Sequence, residues 1–176
     1  MSKFKKLDSI IHVKIPAAME VDNIRLRRLR FSDGPFIMNE LKDEIILNAS
    51  GLLRPIHVSW FSLWWWMKTT FMFDYCIEFN LKPIGFIGLY DLLSGESAQI
   101  SLTIFDKMFR RQGYGSRAFN LLAKHLQKHS IVREIRARVM RDNHDAVSFW
   151  RKIGFSQMDT VDAIQITMSM HLKTTS

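Results

Sequence analysis

Apolar and polar positions change period several times along the chain, and each change marks a predicted element. Arg25, Arg27, Arg28 and Arg30 alternate partly with Ile24, Leu26 and Leu29, which predicts a strand over 23–30 with most of its arginines on the solvent side. Ser32 or Asp33 then serves as a helix cap, Pro35 fits a first turn, and Phe36, Ile37, Leu41 and Ile45 form one helical face. A second helix is predicted over 58–69, where Trp60, Phe61, Trp64 and Trp65 gather aromatic surface at helical spacing; burial against a sheet accounts for that surface as well as a ligand-facing wall does. Strands follow at 74–80 and 84–92, joined by a turn at Leu81-Lys82-Pro83, and at 97–105. Gly85 and Gly88 inside a strand predict a bulge or a close backbone approach.

The second half reads strand, glycine loop, helix, strand, helix, strand. Ala118, Leu121, Leu122, His125 and Leu126 keep a stripe at 3.6 spacing after the loop. Residues 136–140 form a strand, Asn143 opens a capped helix that ends at Gly154-Phe155, and strands are predicted at 155–160 and 164–171, where Ile164, Ile166, Met168 and Met170 alternate strictly. The pattern gives an α/β chain with a mixed, mostly antiparallel sheet.

Arg110-Arg111-Gln112-Gly113-Tyr114-Gly115 stands between a strand and a helix. Glycines there let the backbone turn its N–H groups inward, and the helix start adds the positive end of its dipole, so anionic phosphate oxygens are a natural guest. The same glycines also suit a purely structural turn.

At these residues the chain resembles the GNAT N-acetyltransferases, whose pyrophosphate loop reads Arg/Gln-x-x-Gly-x-Gly/Ala and whose later helix carries Asn-x-x-Ala and ends in Gly-Phe. Arg110, Gly113, Gly115, Asn143, Ala146, Gly154 and Phe155 match that pattern. The resemblance implies a single-domain fold with a sheet of about seven strands flanked by about four helices. It sets an N-terminal extension at 1–21, the acetyltransferase domain at 22–172 and a tail at 173–176. It also implies acetyl-CoA as cosubstrate, held at Arg110, Arg111, Gln112, Gly113, Tyr114, Gly115 and Ser116. The pantetheine arm is expected to lie along the backbone of Thr103, Ile104 and Phe105 like an added strand. Asn143 is expected to cap its helix and to hydrogen-bond that arm as well.

The implied chemistry is direct attack of an uncharged amine on the thioester. The chain departs from the family where a tyrosine often protonates the leaving thiolate, because Trp150 stands there and an indole N–H is no general acid near neutral pH. The carboxylate that the family often has in the strand before the loop would align near Gln99, which cannot act as a base. Glu96 and Asp91 are the nearest acids, with Glu96 the first choice of base and His144 a further candidate better suited to a surface or capping role. The Ile24-Arg25-Leu26-Arg27 segment with Ser32-Asp33 looks more like the branch that includes ribosomal-protein N-terminal and amino-sugar acetyltransferases than the histone branch. Aromatics and arginines favour a small-molecule amine, an amino sugar first, over a protein N-terminus. A non-catalytic acyl-CoA-binding module keeps Gly113 and Gly115 equally well.

Composition narrows the classes. The 176 residues are 47% hydrophobic and 12% aromatic, enough for one compact domain. The 25 basic and 17 acidic residues leave a net charge of +8, which suits an anionic partner. No recognition helix or RNA-binding aromatic motif points to a specific nucleic acid. The single cysteine, Cys76, excludes an internal disulfide and a multi-thiolate metal site, so no metal is expected. No apolar run reaches the ~18 residues of a membrane span, and Ile10-Ile11-His12-Val13 is too short for a signal-peptide core, so a cytoplasmic location without membrane attachment is expected. Monomer and homodimer remain equally compatible with the pattern.

Overall fold

The structure, a computed structural model, describes residues 15–40, 62–63, 65–66, 72–159 and 162–173. The strands are β1 (Ala18–Val21), β2 (Ile24–Arg28), β3 (Phe73–Phe79), β4 (Lys82–Leu93), β5 (Ser97–Ile104), β6 (Glu134–Met140), β7 (Ser156–Gln157) and β8 (Gln165–His171). They form one eight-stranded sheet in the order β1-β2-β3-β4-β5-β6-β8-β7. The helices are α1 (Gly34–Glu40), α2 (Tyr114–Lys128) and α3 (His144–Lys152). Residues 62, 63, 65 and 66 are helical, within the predicted second helix. Trp60, Phe61, Trp64, Leu41 and Ile45 lie outside the described residues. The sheet is mixed, with β5 and β6 parallel, and its antiparallel pairs include β1–β2, β2–β3, β6–β8 and β7–β8.

Residues 18–21, within the stretch set apart as an extension, are β1. A tight turn at Asp22-Asn23, with Asp22 at φ +51, folds them back on β2 with Val21 opposite Ile24. The turn between β3 and β4 falls one step earlier than Pro83 signalled. It is Asn80-Leu81, both at positive φ (+49 and +65), the conformation of a two-residue hairpin, while Lys82 and Pro83 already belong to β4. The strand expected at 155–160 shrinks to two exposed residues.

Contacts gather the chain into two compact units, one mainly of residues 89–101 and the chain from 123 onward, the other mainly of residues 15–88 and 102–122. In the first, the alternation of β6 against β8 places Ile135, Ala137 and Val139 opposite Met170, Met168 and Ile166. Asn143 Oδ1 accepts from the Ala146 N–H at 3.0 Å, and the end of α3 closes with Gly154 at φ +104 and a Phe155 N–H bond to Trp150 O at 3.0 Å. That is the glycine-terminated capping pattern the sequence predicts.

The second unit corrects the expectation of a solvent-facing arginine at one position, Arg27, while Arg25 and Arg28 are half-buried and Arg30 is exposed. Arg27 is 6% exposed. Its Nε donates to Glu78 Oε1 at 2.7 Å, and Nη1 and Nη2 donate to Asp33 Oδ2 and Oδ1 at 2.7 and 2.8 Å. Asp33 therefore does more than cap, and its Oδ2 also accepts from the Arg30 N–H at 2.7 Å. Arg28, on the other face, lies over the rings of Phe73 and Tyr75 at 4.8 and 5.1 Å. Cys76, paired in register with Arg27, is 1% exposed, and burial pushes its thiol up to about 12.

Arg27→Ala strands two buried carboxylates and should cost about 3–5 kcal/mol in urea unfolding. Burial raises the Asp33 pKa, but hydrogen bonds from Arg27 and the Arg30 N–H outweigh it and hold the carboxyl below its ordinary range. A depressed folded pKa contributes stability above the unfolded value of ~3.9 that is lost as pH falls through the folded one. The difference between Asp33→Asn and the parent should therefore be full at pH 6 and shrink below pH 4.

Candidate active site

The glycine loop is built from the end of β5 outward. Phe105 donates its N–H to Ile84 O at 2.9 Å, and Asp106 then caps a 3-10 turn at Lys107–Phe109 by accepting the Met108 N–H at 3.0 Å. That bond, followed by the Lys82 ammonium 3.3 Å from Oδ2, holds the Asp106 pKa below the ordinary carboxylate range. Arg110 follows, and its guanidinium turns back onto the strand it came from. Nε donates to Ile104 O at 2.8 Å and Nη2 to Phe105 O at 2.9 Å. Two carbonyls at the end of β5 thereby accept from one side chain.

From there the backbone turns twice through the left-handed region, at Arg111 (φ +60) and Gly113 (φ +84), and enters α2 at Tyr114. Gln112 Nε2 donates to Met108 O. The Arg117 N–H donates to Gly113 O at 3.0 Å, so the N–H groups of Tyr114, Gly115 and Ser116 precede the first intrahelical bond. No acidic residue occupies that first turn. Gly115 is helical, so the turn is Gly113's work and not a shared property of both glycines. A Cβ at Gly113 would meet nothing within 4 Å, which leaves open space above the loop.

The helix start is held in place. Tyr114 packs on Phe79 at 4.8 Å and Phe109 at 5.5 Å between ring centroids. Arg117 donates to Asn23 Oδ1 at 2.9 Å and Asp22 Oδ2 at 3.2 Å, fixing α2 to the β1–β2 turn. A pyrophosphate fits this arrangement on three counts: N–H donors ahead of the first intrahelical bond, the positive end of a fifteen-residue helix, and a first turn with no acidic residue of its own.

Thr103, Ile104 and Phe105 share this unit with Arg110 to Ser116; Glu96, Asn143 and Trp150 belong to the other unit. Thr103 O lies so near Gly85 that a Cβ there would sit 2.2 Å away, and Phe105 N–H is spent on Ile84. Ile104 O, the carbonyl between them, accepts from Arg110 Nε. The sequence reading missed Asp106 and Lys82; an Asp just before a short turn was the available signal.

Asn143 caps α3 as described. Trp150 is 5% exposed and packs on Phe155 at 4.7 Å and Phe149 at 5.0 Å. Glu96 is exposed in the turn that opens β5, and its carbonyl accepts from the Arg133 and Glu134 N–H groups at 2.9 and 3.1 Å. It stands at the opposite end of β5 from Phe105, so the strand does not bring it to the loop.

A family model described as acetyltransferase (GNAT) family matches residues 38–155, more than half of the chain. The chain belongs to the GNAT acetyltransferase family. Membership makes it an N-acetyltransferase with acetyl-CoA as its cosubstrate. No curated protein sequence matches the chain. Among solved structures, it is similar to a Vibrio cholerae spermidine N-acetyltransferase in complex with CoA and spermine, at 17% identity and TM-score 0.72, covering 86% of this chain and 97% of that one. A Salmonella typhimurium acetyl transferase that modifies the N-terminal serine of a 50S ribosomal subunit protein shares 14% identity at TM-score 0.69, over 89% and 99% of the two chains. Campylobacter jejuni N-acetyltransferase PseH shares 15% at TM-score 0.62, over 86% and 100%. These likenesses are of fold. Within that fold the acetyltransferase's own loop is what bears on binding.

The glycines should separate sharply on substitution. Gly85→Ala drives a Cβ into the backbone oxygen of Thr103 and should cost about 3 kcal/mol or more. Gly113→Ala meets no atom and should cost only the ~1 kcal/mol of a strained left-handed residue. Urea midpoints of the two variants check the order.

Proposed function

We propose that this acetyltransferase moves the acetyl group of acetyl-CoA directly to the primary amine of a small molecule, an amino sugar in free or nucleotide-linked form being the first choice. The observation that carries the cofactor half is the turn at Gly113 into an uncapped, acid-free helix start, with Arg110 tied to the strand it leaves. Tyr114, Gly115 and Ser116 offer N–H donors to the pyrophosphate, and the backbone at the end of β5 offers a strand edge to the pantetheine arm. A backbone N–H placed at the thioester oxygen as it gains negative charge contributes ~3 kcal/mol to the transition state.

The acceptor half is supported by aromatic surface on the same unit as the loop. Phe31 and Trp66 are 66% and 54% exposed, and Phe31 meets the buried Trp65 edge to face at 6.1 Å. Flat apolar faces of this kind suit a sugar ring or a base. The printed acceptors of two similar structures, a polyamine and a protein N-terminus, keep an N-terminal peptide as the second reading.

Isothermal titration with acetyl-CoA, with CoA and ATP as comparators, tests the cofactor site. One-to-one binding is expected, and Gly113→Asp, which places a carboxylate at the pyrophosphate seat, should abolish it while leaving the unfolding midpoint within the range of Gly113→Ala. Undiminished affinity in that variant would remove the proposed seat. Release of free thiol across a panel of glucosamine, spermidine and a serine-initiated peptide then separates the acceptor classes.

Trp150→Tyr should lower Tm without raising turnover, because the indole is packed between two phenylalanines. A rise in turnover would instead assign the position to protonating the leaving thiolate.

A further inference from the structure

Between Thr103 and Lys128 the chain carries one acidic residue, Asp106, and it stands just ahead of the loop that is to receive a pyrophosphate. Both oxygens of its carboxylate are engaged. Oδ1 accepts the Met108 N–H at 3.0 Å, and Oδ2 stands 3.3 Å from Lys82 Nζ. Met108 O in turn accepts from Gln112 Nε2, so the turn that Asp106 caps is bonded forward into the loop. The cap itself needs an oxygen and no charge, since asparagine caps as well as aspartate does. The charge is therefore surplus to the turn, and its sign is unfavourable beside a bound pyrophosphate.

Lys82, the first residue of β4, meets that charge. Its ammonium contacts the carboxylate and lies over the Phe109 ring at 5.2 Å. Phe109 packs on Tyr114 at 5.5 Å between centroids, so the ion pair stands one ring away from the first residue of α2. That separation is on the order of the ~10 Å Debye length at 0.1 M salt, within which a lone carboxylate still acts on an arriving anion. The lysine side chain is 64% exposed and the aspartate 29%, and a pair so open to water adds little to stability. Its effect lies in the field at the loop. A second carboxylate beside α2, Asp22, is matched in the same way, by Arg117 Nη2 at 3.2 Å. All of these residues belong to one compact unit.

We propose that Lys82 sets the affinity for acetyl-CoA by cancelling the charge of Asp106, so that the carboxylate builds the turn without repelling the pyrophosphate. The inference rests on the reading of the glycine loop as the pyrophosphate seat. Lys82 acts through Asp106 and is a positioning residue. Without the ammonium, the carboxylate faces the phosphate charges alone; without the carboxylate, the ammonium remains to attract them. The two single changes therefore move affinity in opposite directions by similar amounts, and the double change returns it.

Isothermal titration of the full chain with acetyl-CoA at ~0.02 M and ~0.5 M salt tests this, because the Debye length falls from ~20 to ~4 Å between them. Lys82→Met keeps the stem over Phe109 and removes the charge. It should raise Kd roughly two- to threefold at low salt and leave it unchanged at high salt. Asp106→Asn keeps the capping oxygen and should lower Kd by a similar factor at low salt. With both changes, Kd should return to within ~1.5-fold of wild type at either salt. Equal effects of Lys82→Met at both salts, no effect at low salt, or weaker binding in Asp106→Asn overturn the inference. So does a loss above ~tenfold in Lys82→Met that Asp106→Asn does not offset, which would make the ammonium a direct phosphate ligand. A wild type that fails to bind acetyl-CoA, or a Gly113→Asp variant that binds it undiminished, overturns instead the reading of the seat.

Discussion

A guanidinium withdrawn from water has to be met on every side that carries an N–H, and Arg27 organises its part of the molecule around that demand. Its partners come from different elements: Asp33 from the turn before α1, Glu78 from β3, and Arg27 itself from β2. The three cannot be satisfied unless β2 pairs with β3 in the observed register and the chain after Arg30 turns at once into its helix. A well-packed apolar trio would hold these elements together as firmly, since desolvation offsets much of the attraction between buried charges. What the ion group adds is exclusivity, because a shift of one residue in register exchanges the two faces of a strand and leaves three charges unmatched.

The same reasoning accounts for the loop. Arg110 bonds two carbonyls at the end of β5 with a fork that a lysine does not possess. Arg110 is spent in this way, so its positive charge fixes the path of the chain. Gly113 supplies the left-handed turn, Arg117 and the aromatic trio around Tyr114 fix the helix start, and the N–H groups are oriented before any ligand arrives. Donors fixed in advance lose little freedom on binding, which is how a short loop achieves useful affinity.

What the sequence discloses and what it conceals follow from distance along the chain. Asn143 capping α3, Gly154 closing it and the entry to α2 are local events, each settled within a few residues, and all are legible. The close approach at Gly85 and Gly88 is legible as well, because a glycine inside a strand has few other uses. Arg27 is not. Alternation with Ile24 and Leu26 assigns it to the far face of a strand, and its partners there, Asp33 and Glu78, include one that is 51 residues away. The β3–β4 turn was misplaced for a smaller reason, since Pro83 is the louder signal but Asn80 carries the positive φ. At the loop, Asp106 acts through a backbone bond that side-chain identity announces weakly, whereas Arg110 and Gly113 announce themselves through spacing.

Substitution at Trp150 and Gln99 bears on how this chemistry tolerates change. Acyl transfer to an amine draws its largest stabilisation from donors aimed at the thioester oxygen, and a strand backbone supplies those whatever its side chains are. Proton transfers demand less of position, since a thiolate with a reference pKa of ~8.5 leaves readily and an exposed carboxylate can pass its proton to water. Trp150, packed between Phe149 and Phe155, is held by the core of its own unit, so what stands at that position is set by packing.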